Sequence, residues 1–271
     1  MIDKSYDAIV IGSGITGGWA AKELTEKGLN VLLLDRSPDV KHGIDYKGEH
    51  VPSWKLPFYG KDERQLNQRD YFISQHSGVM DASNRHLFNN DRQNPYQYDP
   101  KKPFQWIRGG GVGGRSLLWY RQCYRFSEAD FKANSDDGHG SQWPIGYSDL
   151  APWYDYVEDF IGVSGQAEGL EQLPDGKFLP PMKMYGIEKT VKQRIEKKIP
   201  EITMTIGRTA VLTENHRGRA ACHYCGPCER GCSTGSYFST QSSTLPAARA
   251  TNRLTLRPDS VVERLEYDPE T

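Results

Sequence analysis

Six residues near the N-terminus constrain the fold more than any other feature: Gly12-Ser13-Gly14-Ile15-Thr16-Gly17, a G-x-G-x-x-G run. The apolar segment before it, residues 6–12, predicts a buried strand, and residues 15–27 predict a helix. Residues 31–35 predict a second buried strand, which completes a βαβ unit with the glycine run at its first turn. The sequence therefore predicts an α/β fold of the Rossmann type.

Each glycine of this run has a distinct physical task in a dinucleotide-binding turn. Gly12 permits the tight turn, Gly14 permits close approach of a pyrophosphate, and Gly17 permits close packing of helix on strand. Asp35 ends the second strand about 20 residues later, where an acid accepts hydrogen bonds from ribose hydroxyls. The alternative is a glycine-rich turn used only for packing. The remaining cofactor contacts expected in this part of the chain are Ser13, Thr16 and Arg36.

A second glycine-rich loop lies roughly 100 residues further on. Residues 108–116 contain five glycines in nine positions, with Trp106 and Trp119 on either side. Such a loop lets the backbone contact a flat ligand, whereas the alternative is a mobile surface loop. The first glycine run alone does not separate FAD from NAD. Its position at the start of the chain and this second loop favour FAD.

Four of the five cysteines lie within eleven residues, in the pattern Cys222-x2-Cys225-x2-Cys228-x3-Cys232. Bunched cysteines are typical of metal and cluster sites rather than of disulfide frameworks. The spacing predicts an iron–sulfur cluster of three or four irons. Zinc and a structural thiol patch are the alternatives, although no second Cys-x2-Cys knuckle follows. The fifth cysteine, Cys123, is expected to be a small buried apolar residue.

Composition excludes several classes of protein. The 34 basic and 35 acidic side chains give a net charge of −1, without the basic patch of a nucleic-acid-binding protein. No apolar stretch approaches the ~20 residues of a membrane span. The N-terminus carries no export signal of its own, which favours a cytoplasmic location.

Three segments together resemble the glucose–methanol–choline (GMC) oxidoreductases. They are YDAIVIGSGITGG at residues 6–18, WIRGGGVGGRSLLW at 106–119 and WPIGYSDLAPWYDYVE at 143–158. The resemblance covers most of the chain and implies bound FAD. It implies that the pyrophosphate is held by Gly12, Gly14 and Gly17, and the adenosine ribose by Asp35. It also implies that the isoalloxazine lies near Gly113, Gly114 and Ser116. The backbone of Val262 is implied to reach the adenine. Arg115 departs from the small Ser or Thr of many relatives.

Within this family the chain is similar to bacterial membrane-linked sugar and polyol dehydrogenases and to subunits that oxidise the C3 hydroxyl of glycosides. Their three-iron cluster uses a Cys-x5-Cys-x3-Cys pattern, which Cys222, Cys228 and Cys232 match, while Cys225 is additional. The resemblance implies oxidation of a CH–OH group by hydride transfer to the flavin. It also implies electron transfer through the cluster to a small subunit and a cytochrome or other acceptor. Export with a signal-bearing partner would place such a protein in the periplasm.

The domain organisation expected from these segments is one FAD-binding domain of GMC type over residues 1–271. It contains an irregular insertion at 38–105, the second glycine loop and flavin-side segment at 106–165, and the cysteine loop at 215–240. Helices are predicted at 148–161 with Ser148 as N-cap, at 187–199 and at 239–251, and strands at 254–257 and 261–267.

The catalytic histidine of the family has no match among the seven histidines of this chain, so we expect it beyond Thr271. This favours an incomplete fold, the N-terminal part of a longer protein, over a complete short flavoprotein. The sequence thus predicts an FAD-dependent dehydrogenase. An NAD-linked Rossmann oxidoreductase and a non-enzymatic, metal-bearing electron-transfer protein are the alternatives.

Overall fold

The computed structural model describes residues 5–267, in two compact units. The first unit contains the described residues up to 119 together with 225–235 and 239–267, and the second contains 120–224 and 236–238. The strands and helices in chain order are β1 (Ala8–Ile11), α1 (Ile15–Glu26), β2 (Val31–Leu34), α2 (Arg64–Asp70), α3 (Glu128–Asp136), α4 (Tyr147–Ile161), α5 (Gly186–Lys198), α6 (Thr244–Ala250) and β3 (Leu254–Arg257). None of these helices is long and apolar enough to cross a membrane.

The first unit contains a parallel three-stranded sheet, in which β2 lies between β1 and β3. Val31 lies opposite Ala8 on one side and opposite Leu254 on the other. The predicted α/β fold, the βαβ unit and the strand at 254–257 are therefore confirmed. The strand predicted at 261–267 is wrong, because the chain leaves the sheet just after β3. Asp259 has a left-handed backbone, with φ of 51°, and this redirects the chain.

The apolar core of the first unit lies between the sheet and two helices, α1 and α6. Its buried members come from both helices, the strands and the second glycine loop: Val10, Ala21, Val31, Leu33, Val112, Leu245 and Ala248. The prediction that β1 is buried holds on one face only, since Ile9 is 62% exposed and Ile11 52% exposed. The reason is that successive side chains of a strand point to opposite faces of the sheet, and the core with α1 and α6 lies on the face that carries Val10.

Helix α6 is shorter than the helix predicted at 239–251, because the residues before Thr244 form a hydroxyl-rich turn. The Ser239 amide donates to Ser242 Oγ at 3.0 Å, and the Ser242 amide donates back to Ser239 Oγ at 3.2 Å. Serine hydroxyls that bond to nearby backbone compete with the helical hydrogen bonds. This turn delays the start of the helix.

The second unit contains α3, α4 and α5. Helix α4 begins one residue before the predicted start, so the assignment of Ser148 as N-cap is wrong. Gly146 is the N-cap, and its amide donates to Asp149 Oδ2 at 2.8 Å. The aspartate at the third helical position thus satisfies a backbone amide that would otherwise lack a partner. Helix α5 is a solvated, charged helix without a buried residue.

A buried arginine ties α4 to the segment before α3. The guanidinium of Arg125 donates from Nε to Glu158 Oε1 at 3.0 Å and from Nη2 to Glu158 Oε2 and Asp155 Oδ1, both at 2.5 Å. Burial opposes the charge, but the hydrogen bonds to these carboxylates raise the pKa of Arg125. A buried cation is acceptable here because two anions and the Tyr147 hydroxyl surround it.

The close packing of α1 on α6 yields a stability prediction. A Cβ atom on Gly18 would lie 2.6 Å from Thr240 Cγ2 and 2.7 Å from Thr244 Oγ1. We expect Gly18→Ala to lower the free energy of unfolding by about 1–3 kcal/mol, because overpacking forces these neighbours apart. Urea denaturation would measure the loss. Gly186→Ala is the control, since a Cβ there meets nothing within 4 Å. Equal stability of Gly18→Ala and the wild type would contradict the packing described.

Candidate functional site

The first glycine loop joins β1 to α1 in a conformation that requires two of its glycines. Gly12 has φ of 87°, which side-chain-bearing residues rarely adopt. A Cβ atom on Gly17 would lie 1.8 Å from the Gly12 carbonyl oxygen, so only glycine fits there. A Cβ on Gly14 would meet nothing within 4 Å. The loop therefore leaves open space beside Gly14, at the N-terminus of α1.

The carboxylate of Asp35 is buried and fastens this loop to the end of β2. Its Oδ2 accepts hydrogen bonds from the Ser13 amide, at 2.8 Å, and from Ser13 Oγ. Its Oδ1 accepts the Ser37 amide at 2.8 Å. A carboxylate offers about four acceptor positions, so one remains at Oδ1. The side chain and the amide of Ser13, which the sequence assigned to the cofactor, both face the protein interior.

The second glycine loop contacts the first directly. The Gly113 amide donates to Ser13 Oγ at 2.7 Å, and a Cβ on Gly114 would lie 3.5 Å from Gly14 Cα. Both Gly113 and Gly114 have positive φ, of 106° and 52°. The structure thus brings together two loops that lie about a hundred residues apart in the sequence.

Two buried hydroxyls join these loops to a third segment. Ser116 Oγ donates to the Gly113 carbonyl at 2.6 Å and accepts the Thr240 amide at 3.1 Å. Thr240 Oγ1 donates to the Ser13 carbonyl at 3.0 Å. Sequence reasoning missed Thr240. The only signal for it is the hydroxyl-rich run STQSST at 239–244, which also suits an ordinary turn.

A polar cavity of about 270 Å³ lies just beyond Asp35, at the end of β2. Arg36 borders it and donates to Asn89 Oδ1 at 3.2 Å. His86 also borders it; burial, with a contribution from Lys47, lowers the pKa of His86 to about 4, so its imidazole is neutral at pH 7. The remaining lining residues are Ser37, Pro38, Tyr71, Phe88, Asn90, Gln93, Asn94 and Gly110.

Three other positions named from the sequence are Thr16, Arg115 and Val262. Thr16 is exposed on the first turn of α1, and Val262 is half-buried after β3. The chain approaches Val262 along the end of β2, since the Ser260 amide donates to the Asp35 carbonyl at 2.8 Å. Arg115 is exposed, and its guanidinium donates to the Ile107 carbonyl at 3.2 Å.

The four clustered cysteines fall on different units, with Cys222 in the second and Cys225, Cys228 and Cys232 in the first. Within residues 5–267, no three Cys, His, Asp or Glu side chains are gathered in a way that could hold a metal ion. The geometry therefore gives no support to the iron–sulfur prediction. Cys123 is half-buried, and burial raises the pKa of its thiol to about 12.

The cysteine loop of the first unit, residues 225–235, is anchored to residues 46–53. The guanidinium of Arg230 donates to the Val51 carbonyl at 3.1 Å and to Ser53 Oγ at 3.2 Å. The His50 ring and Ser233 Oγ share a hydrogen bond of 2.7 Å. A Cβ on Gly231 would lie 2.6 Å from the Tyr46 ring, so the backbone packs tightly there. Cys225 and Cys228 are exposed on this loop.

Comparison with known proteins gives one family. The sequence profile described as GMC oxidoreductase matches residues 6–270. The chain is 26% identical to the fructose dehydrogenase large subunit of Gluconobacter japonicus, covering 97% of this chain and 47% of that protein. It is 25% identical to the gluconate 2-dehydrogenase flavoprotein of Pantoea cypripedii, covering 97% and 45%. The chain thus spans slightly less than half the length of these relatives.

Among solved structures, pyridoxine 4-oxidase from Mesorbium loti is similar in fold. The TM-score is 0.50 at 15% identity, covering 97% of this chain and 44% of that one. At this identity the likeness concerns the fold alone, and it agrees with the α/β architecture described above.

The role of Asp35 yields a prediction about the stability of the loop. We expect Asp35→Asn to lower the free energy of unfolding by about 1–3 kcal/mol, because an amide has one acceptor oxygen for the three donors around this side chain. Chemical denaturation of cofactor-free protein would measure it. Asp39→Asn is the control, since Asp39 is partly exposed and its ion pair with Arg249 is long, at 3.7 Å. Equal losses in both variants would contradict a special role for Asp35.

Proposed function

The chain belongs to the GMC oxidoreductase family, and on that premise we propose that it holds the FAD of an enzyme that oxidises CH–OH groups. The observation that carries the proposal is the meeting of two glycine loops at the N-terminus of α1. Gly14 and Gly114 approach there without side chains, beside open space. A flat ligand with a pyrophosphate requires this combination of close backbone approach and a positive helix end.

We propose that FAD lies across the two glycine loops and along the end of β2. The first glycine loop with α1 suits the pyrophosphate, and the remaining acceptor position of Asp35 suits a ribose hydroxyl. The polar cavity at Arg36 suits the adenosine end, because its lining offers amide and guanidinium groups for hydrogen bonds. Gly113, Gly114 and Ser116 are proposed near the isoalloxazine, and the backbone of Val262 near the adenine.

In this proposal the protein binds and orients the cofactor, and the cofactor supplies the redox chemistry. Bound FAD would supply an acceptor for hydride at its isoalloxazine ring. The glycine loops bind and orient the cofactor, while Thr16 and Arg115 lie on the exposed side of the loops. A base is also needed to remove the hydroxyl proton of the substrate. We propose that this base is a histidine outside these 271 residues.

We propose a sugar, a polyol or a related glycoside as the substrate. The names of the two relatives support this class, since one acts on fructose and the other on gluconate. We also propose a multisubunit enzyme with a small subunit and a cytochrome or similar electron acceptor. The support is that the fructose dehydrogenase relative is named a large subunit.

The proposal predicts that Gly14→Asp weakens cofactor binding. A Cβ atom at position 14 would meet nothing within 4 Å, and the φ of −62° is one that any residue adopts. The charge of the aspartate, however, would repel a pyrophosphate at the same helix end, and we expect FAD affinity to fall at least about tenfold. The measurement is FAD titration of the full-length protein, followed by flavin absorbance, together with dye reduction by a panel of sugars and polyols.

Gly186→Asp is the matched control, because it also adds a carboxylate at an open glycine at the start of a helix. It should keep wild-type FAD affinity. Uptake of NAD instead of FAD by the wild type would contradict the proposed cofactor. Bound FAD without turnover of any alcohol on the panel would contradict the proposed reaction.

We further propose that Cys222, Cys225, Cys228 and Cys232 receive an iron–sulfur cluster. The support is their ferredoxin-like spacing, in which Cys222, Cys228 and Cys232 also form the Cys-x5-Cys-x3-Cys pattern that the family resemblance implies for a three-iron cluster. Within residues 5–267 no three Cys, His, Asp or Glu side chains are gathered to hold a metal ion, so spacing alone supports this proposal. Metal insertion that reorganises a loop is common for thiolate sites, because the site rarely exists before the metal binds.

Metal analysis of anaerobically reconstituted full-length protein tests this second proposal. We expect bound iron and sulfide in the wild type and a marked loss in Cys228→Ser. Cys123→Ser should retain both iron and sulfide. Burial raises the pKa of the Cys123 thiol to about 12, so this thiol stays protonated at neutral pH and does not offer the thiolate that a cluster needs. Stoichiometric zinc without iron, or no metal at all, would contradict the cluster.

A further inference from the structure

We propose that Thr240 is a positioning residue that aims the Gly14 amide at the pyrophosphate of the cofactor, an inference that rests on the proposed FAD function. Thr240 is fully buried, and it contacts both glycine loops from a segment far along the chain. Its hydroxyl donates to the Ser13 carbonyl at 3.0 Å. Its amide donates to Ser116 Oγ at 3.1 Å.

The geometry of a trans peptide explains how a bond to one residue orients the next. The Ser13 carbonyl and the Gly14 amide belong to one planar peptide group, in which C=O and N–H point in opposite directions. Because Thr240 draws the Ser13 carbonyl into the protein, the Gly14 N–H points away from the interior. This amide has no acceptor among residues 5–267, and a Cβ on Gly14 would meet only open space.

The other polar groups of Ser13 are held from the opposite side. Its amide and hydroxyl both donate to Asp35, and the hydroxyl also accepts the Gly113 amide. The two peptide groups that flank Ser13 are therefore each fixed by a buried partner. Of these partners, only Thr240 bonds to the peptide group that joins Ser13 to Gly14. Its hydroxyl therefore sets the direction in which the Gly14 N–H points.

Thr240 also makes an apolar contact that must be separated from the role of its hydroxyl. Its Cγ2 methyl packs against α1, where a Cβ on Gly18 would lie 2.6 Å away. Valine keeps this shape and loses the hydroxyl, whereas serine keeps the hydroxyl and loses the methyl. Alanine loses both, so alanine and serine differ in the hydroxyl alone.

The experiment is FAD titration of full-length Thr240→Val and Thr240→Ser. We expect Thr240→Val to bind FAD at least about tenfold more weakly, and Thr240→Ser to stay within about threefold of the wild type. Bound flavin in Thr240→Val should also show altered visible circular dichroism. If Thr240→Val does not fold, Thr240→Ala against Thr240→Ser makes the same comparison without the methyl.

Thr25→Val is the matched control. Thr25 is equally buried in the same unit, and its hydroxyl donates to the Ala21 carbonyl at 2.8 Å within α1. Thr25→Val also removes a buried hydroxyl, but one that does not contact the glycine loops, so it should leave FAD affinity unchanged. Wild-type affinity in Thr240→Val, or equal weakening in Thr25→Val, would overturn the inference.

The two proposals fail differently. A wild type that takes up no FAD overturns the proposed function. In that case hydrogen exchange in ligand-free protein still tests the positioning role. We expect the Gly113 amide, which donates to Ser13 Oγ, to exchange about tenfold faster in Thr240→Val than in Thr25→Val. Equal exchange would overturn the role of Thr240 in fixing Ser13.

Discussion

Ser13 is fully buried in the middle of a glycine-rich turn, and this burial governs the arrangement of the whole site. A buried amide or hydroxyl without a partner costs roughly 1–3 kcal/mol, so each polar group of Ser13 must be satisfied. Asp35 accepts its amide and hydroxyl, the Gly113 amide bonds to its hydroxyl, and Thr240 bonds to its carbonyl. One small residue thereby fixes the end of β2, both glycine loops and the segment before α6.

The apolar core and the polar network have separate tasks in the first unit. Burial of Val10, Leu33 and Leu245 between the sheet and two helices stabilises the fold without directing any group toward a ligand. Hydrogen bonds are directional, so the network sets which backbone atoms face outward. The glycines make this possible, because Gly17 lets α1 approach β1 closely enough for the network to close.

The cysteine loop shows what can and cannot be inferred from the spacing of residues in the sequence. The spacing indicates which potential ligands a short segment contains, and the pattern from Cys222 to Cys232 is typical of an iron–sulfur cluster loop. Whether the thiols converge depends on what holds the loop, and here Arg230 and Gly231 anchor it to residues 46–53. These contacts position the loop whether or not a metal is bound.

The sequence by itself determined the βαβ unit, the strand at 254–257 and the tasks of the glycines at 12 and 17. These follow from local rules, since strand and helix periodicity and the steric needs of a tight turn act within a few residues. Only the tertiary structure decided that Ser13 faces inward and that Thr240 bonds to it from 227 residues away. It also decided that α6 begins at Thr244 and that no strand forms at 261–267. Such contacts form between groups that are far apart in the sequence and come together only when the chain folds. A short sequence pattern therefore does not predict them.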